Sequence, residues 1–206
     1  MENSFEQIYL KGTAKYIKVN SSVNKYQDKE TGYSLNLYLT PETEAKVRKL
    51  ADKLLTVAQT QGWKNSSGTE VKTKDWLPKD FLIDKLIKED NEGNKFIACK
   101  APHLKKNKNG ATERVYLPIF DKKGQLPAKE AQEMVLYNGS VVNVQLVVYA
   151  FFQSSLVQGV TTKMKAIQII ERATSTNSIG SGFEMEKSDE KSADTNACEI
   201  EEEVPI

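Results

Sequence analysis

The sequence predicts a mainly β body with one firm helix, built as a small barrel or sandwich and followed by a disordered acidic tail. Three observations predict it. Residues 33–39 and 140–152 alternate apolar and polar side chains with the period of a half-buried strand. A single stretch, 41–61, repeats its apolar residues at helical spacing. After Arg172 the composition turns to Ser, Thr, Asn and Gly and then to acid.

The first strands read as 8–19 and 33–39, with turn-rich residues 20–32 between them. In the second, Tyr33, Leu35, Leu37 and Leu39 share one face, and Ser34, Asn36 and Tyr38 the other. A helix follows. Thr40 is placed to cap it, Pro41 suits the first turn, and Glu42 and Glu44 suit its positive end. Val47, Leu50, Leu54, Val57 and Ala58 make its apolar stripe, and Gly62 is the expected stop. Residues 63–75 read as a polar loop, 79–89 and 127–136 as shorter helices, and 95–101 and 112–120 as strands. His103 to Gly110 reads as a basic turn carrying Lys105, Lys106 and Lys108. Two long strands, 140–152 and 160–171, close the body. The domain expected is 1–172, with 173–206 as tail, because a polar, acidic segment buries too little apolar surface to offset its ordering entropy.

The net charge of +1 conceals two opposed blocks. Residues 184–206 hold nine acidic side chains and two lysines, a net of −7, which leaves 27 basic against 19 acidic residues upstream, a net of +8. A basic body suits a polyanion, and an acidic tail competes with that polyanion or recruits another protein. Two cysteines, Cys99 and Cys198, make no disulfide framework, no apolar run is long enough to span a bilayer, and the N-terminus lacks a signal pattern. These point to a cytoplasmic protein.

Enzymatic chemistry finds little support. The single histidine, His103, lies four residues from Cys99, and no second Cys or His pair completes a zinc site. Neither a phosphate-cradling loop nor a nucleophile elbow occurs. Body carboxylates are scattered among lysines. Neither cofactor nor metal is expected.

The informative segment is Tyr137 to Phe152, YNGSVVNVQLVVYAFF. Val142, Val144, Leu146, Val148, Ala150 and Phe152 form one apolar row, read as core. The opposite row begins polar at Asn143 and Gln145 and ends in Tyr149 and Phe151, two rings about 7 Å apart along the strand. Exposed, they would stack on successive bases; the alternative is a second element packed over both. On the last strand Lys163 and Lys165 share the outward parity, ready for phosphates. Beyond Lys165 the alternation slips, which a bulge or a cover at that end would explain. Arg114 with Tyr116, and Asn36 with Tyr38, repeat the polar-plus-aromatic pairing on other strands.

Gly139-Ser140 before the valine-rich strand, Gly159-Val160 after it, and Ala166-Ile167-Gln168 in the last strand resemble the closing hairpin of tailed-bacteriophage single-stranded DNA-binding proteins. KGTAKYIKV, YSLNLYL and RVYLPIFDKKG resemble that family's opening and central strands, so the likeness runs from about Lys11 to Glu171. The resemblance implies an OB-fold barrel that binds single-stranded DNA without catalysis, with Tyr149 and Phe151 stacking and Lys163 and Lys165 on phosphates. The last residues, Glu201, Glu202, Glu203, Val204, Pro205 and Ile206, resemble the terminus of bacterial single-stranded DNA-binding proteins. There an aromatic residue ends the chain; here Ile206 stands in its place. That likeness implies docking to a polymerase, helicase or recombinase in the bacterial host cytoplasm. A strand-annealing factor and a metal-dependent nuclease are the rival classes. DNA or RNA, and a monomer or a homo-oligomer, stay open.

Overall fold

A computed structural model describes residues 5–27, 29–60, 63–64 and 70–174. The tail from 175 on, with its six terminal residues, and the expected helix stop at Gly62 lie outside the described residues. The chain begins with β1 (Phe5–Lys18), β2 (Asn24–Tyr26), β3 (Lys29–Tyr38) and α1 (Pro41–Thr60). Next come β4 (Trp63–Lys64), β5 (Glu70–Val71), α2 (Lys79–Leu86), β6 (Ile87–Glu89) and β7 (Lys95–Ala101). The basic segment forms β8 (Leu104–Lys106) and β9 (Thr112–Arg114). The chain then forms β10 (Ile119–Asp121), β11 (Gly124–Gln125), α3 (Ala128–Glu133), β12 (Val141–Phe152) and β13 (Gln158–Glu171).

The main sheet runs β11-β10-β13-β12-β1-β3-β7-β6, with β2 beside β3. Among the described residues, only the β10–β13 pairing in this sheet is parallel. β13 also lies against β7, and Thr162 Oγ1 donates to the Ala98 carbonyl at 3.3 Å. The five long strands therefore close in the order β1-β3-β7-β13-β12, an OB barrel.

The alternation in β12 has the expected sense. Val142, Val144, Leu146, Val148 and Ala150 are buried, and their neighbours stand half-exposed. Leu10 and Ala14 of β1 and Leu35 and Leu37 of β3 complete the interior. One end is covered by α1, whose Val47, Leu50, Ala51, Leu54 and Leu55 join the same core. Its start is a reciprocal cap: the Thr43 amide donates to Thr40 Oγ1 at 3.3 Å, and the Thr40 amide to Thr43 Oγ1 at 2.7 Å. At Gly12 an added Cβ would sit 2.3 Å from the Tyr38 carbonyl, so only glycine lets β1 pass that close to β3.

Five expectations need correcting. The 112–120 segment is not one strand. Pro118 lacks an N–H, and the Leu117 amide donates to Asn20 Oδ1 instead of a ladder, so β9 and β10 fall in different sheets. The 79–89 helix ends at Leu86, because Ile87 turns extended and pairs with Ile97, filling the core. The 63–75 loop holds the short β4–β5 ladder, and the 20–32 turn holds β2. The helix expected over 127–136 is confined to Ala128–Glu133, with Pro127 before its first turn.

Candidate nucleic-acid interface

The outward faces of β1, β12 and β13 are set by register. Tyr9 faces Gln145, which faces Ala166; Lys11 faces Asn143, which faces Gln168, and Gln168 in turn faces Phe120 of β10. The alternation of β13 survives this because of a bulge. Leu146 pairs with Met164 but Gln145 with Ala166, leaving Lys165 as the extra residue. The bulge reconciles outward Lys163 with the buried Ile167 and Ile169. It also swings Ala166 and Gln168 onto the face that carries Lys163.

Two adjoining depressions result. The first, about 270 Å³, has Tyr9 and Phe120 on opposite sides and Asn143, Gln145, Ala166 and Gln168 between them. The second, about 690 Å³, shares Tyr9 and Asn143 and continues past Lys11, Thr13 and Tyr38 to the first turn of α1. Together they make a groove across the barrel. Tyr9 is 60% exposed, and its hydroxyl accepts hydrogen bonds from Gln7 Nε2 at 3.0 Å and Gln145 Nε2 at 3.1 Å, which steer the ring.

Tyr38 is held from two sides. Its ring stacks on Phe96 at 5.4 Å, and Lys15 Nζ lies 4.5 Å from the ring centroid. Burial first, then a hydrogen bond and the charge of Asp90, push its phenol up to about 12. The acid at this end is partly neutralised, since Lys46 bonds Glu42 at 2.7 Å and holds that carboxyl below its ordinary range.

The structure separates the residues singled out in the sequence into three groups. Asn36 and Tyr38 lie on the outward face of β3, with Tyr38 in the groove. Tyr149, Phe151, Lys163 and Lys165 share the outward face of β12 and β13 beyond Gln145; Tyr149 stands about 13 Å from Gln145 along the strand. The rings are half-buried rather than fully exposed: Tyr149 lies between Phe5 and Thr161, and Phe151 faces Gly159. Phe152, read as core, is half-buried against Trp76 at 5.1 Å. Both lysines are exposed.

The third group is remote. Lys105, Lys106, Lys108 and Arg114 belong to the exposed β8–β9 hairpin, which leaves the barrel after Ala101, the far end of β7 from Phe96. Arg114 caps the Tyr116 ring at 5.8 Å. His103 at the root is buried, 3.2 Å from Glu30 and edge-on to Tyr33, so it anchors the hairpin.

Groove residues that carried no assignment in the sequence include Tyr9, Lys11, Lys15 and Phe120. A signal for the first two existed, because Tyr9 and Lys11 alternate with buried Leu10 and Gly12. Phe120 had none, since its place beside Gln168 depends on the parallel β10–β13 pairing.

No family model and no curated protein sequence matches the chain. Among solved structures it is similar to gp2.5, a single-stranded DNA-binding protein encoded by bacteriophage T7, with a TM-score of 0.53 at 12% identity over 82% of this chain and 93% of that one. The two share a fold. A single-stranded DNA-binding protein from bacteriophage Enc34, in complex with single-stranded DNA, aligns at a TM-score of 0.48 and 13% identity, over 82% of this chain and 88% of that one. Among the described residues no helix is long and apolar enough to cross a membrane.

Proposed function

We propose that the chain binds single-stranded DNA across the outward face of β1, β12 and β13 and coats it during bacteriophage DNA replication, recombination or repair. The observation that carries this reading is the groove itself, where the rings of Tyr9, Tyr38 and Phe120 are interleaved with Lys11 and Lys15. Rings stack on any base and ammonium groups meet phosphates, which is binding with little regard to sequence. Tyr149, Phe151, Lys163 and Lys165 extend the same face. The shared fold of the T7 protein supports the reading, as does a body of net +8 by sequence. The acidic terminus, residues 201–206, supports a second role, recruitment of replication or recombination proteins. The test is a titration of labelled single strand, duplex and RNA at two salt concentrations, with Tyr9→Ala and Tyr149→Ala beside the parent. Tight binding of single strand, weakened by either substitution by about 1–3 kcal/mol, is expected. Equal affinity for duplex overturns the groove as the site.

A further inference from the structure

Three non-glycine residues among those described carry a positive φ: Tyr16 at 52°, Asn20 at 49° and Gln27 at 47°. Asn20 tolerates that backbone and uses its carboxamide in buried hydrogen bonds, and Gln27 lies in the turn after β2. Tyr16 lies inside β1, where a bulky side chain in the left-handed region is strained. The cause is a bulge. Lys15 pairs with Asn36 but Lys18 with Ser34, so β1 carries one residue more than β3 across this step. Glycine would make such a bend without strain. The surroundings hold tyrosine there instead: its amide donates to Asn138 Oδ1 at 2.8 Å, and Ala14 before it is hydrogen-bonded through its backbone to Gly139 and Ser140.

Folding does not account for the ring. Tyr16 is 66% exposed, and its hydroxyl makes no hydrogen bond among the described residues. Its place is the rim of the groove. Lys15 reaches over the Tyr38 ring, Lys18 beyond the bulge is exposed, and the Tyr16 phenol is close enough for its charge to add to the rise in that of Tyr38. Resting on the single-strand reading above, we infer that Tyr16 is a stacking platform for a base where the bound DNA leaves the groove past Tyr38. Lys15 and Lys18 on either side of it suit the adjoining phosphates. The bulge breaks the alternation of β1 and leaves the ring in solvent, where a base can cover it. Local backbone strain is thus retained so that the ring stands ready before DNA arrives. The bound stretch extends beyond the two depressions.

Stability and affinity, measured side by side on the full-length protein, test this. Tyr16→Gly removes the ring and the strain at once. Its urea midpoint is expected at or above the parent's, while its affinity for oligo-dT of about 16 nucleotides falls about fivefold or more. Tyr16→Phe keeps the ring and should bind as the parent does. Should glycine loosen β1 and lower the midpoint, Tyr16→Asn, which tolerates the same backbone, must hold stability and lose affinity. Parental affinity in the glycine and asparagine variants, or a midpoint that falls in both, overturns the stacking platform while single-strand binding stands. A loss in Tyr16→Phe as large as in Tyr16→Gly overturns it too, since the hydroxyl rather than the ring would then make the contact. A parent that fails to bind oligo-dT overturns the underlying reading as well.

Discussion

Thr162 on β13 donates its hydroxyl hydrogen to the Ala98 carbonyl on β7 at 3.3 Å, across a seam where the described strands share no ladder. A side chain thus does at this closure what backbone pairs do around the rest of the barrel. Thr162→Val keeps the shape and leaves that carbonyl without this donor. It is expected to cost about 1–2 kcal/mol in urea unfolding, with Thr162→Ser recovering most of it. If valine matches the parent, packing alone holds the seam.

Asn20 carries a comparable task between loops. Its carboxamide donates to the carbonyls of Leu117 at 2.9 Å and Ala131 at 2.8 Å and accepts from the Leu117 amide at 2.8 Å, all buried. Its φ of 49° is one that asparagine tolerates better than most residues. Asn20→Ala removes all three partners and is expected to lower stability by about 3 kcal/mol. Asn20→Asp also loses because a carboxylate cannot donate to two carbonyls. A urea midpoint within error of the parent for either variant would contradict this.

The phenol of Tyr38 sits well above its ordinary value of 10.0, at about 12. Folding therefore favours the protonated form. The stability this contributes is complete below pH 10 and is lost as pH rises through about 12. Tyr38→Phe has no proton to lose, so the parent should fall relative to it only in that window. Asp90→Asn should lower the phenol without restoring 10.0, since burial is the larger cause. A parent-to-variant difference that is flat with pH would reject this environment for Tyr38.

Phosphate contacts are legible in salt. Affinity for single strand is expected to fall with a slope near −0.7 per phosphate neutralised. Lys163→Ala with Lys165→Ala should flatten that slope by about one to two units, and Lys11→Ala with Lys15→Ala likewise. Because the hairpin leaves the barrel at the other end of β7, alanines at Lys105, Lys106 and Lys108 should change it least. The reverse ranking would move the phosphate path to the hairpin.

The −7 tail and the +8 body are parts of one chain, and a tail that competes with DNA as a tethered polyanion would act at about millimolar effective concentration. Deleting residues 184–206 should tighten DNA binding most at low salt and little at high salt, where charge is screened. Equal affinities at the lowest salt would leave partner recruitment as the tail's role.

By itself the sequence determined what depends on neighbours along the chain. The inward row Val142 to Ala150, the cap at Thr40 and the slip of alternation at Lys165 follow from local periodicity and side-chain chemistry, and the slip is the bulge the structure shows. Parity says which side of a strand a residue takes; it does not say which strand lies alongside. Tyr9 meets Gln145 across 136 residues, and Phe120 meets Gln168 through a parallel pairing of only two residues. Both depend on long-range register, which has no local signature. Tertiary structure alone decided that these rings share one groove, that Tyr149 and Phe151 are half-buried at its far reach, and that the basic hairpin stands apart. The reason is one of range: local sterics set the faces, and the closing of the barrel sets who meets on them.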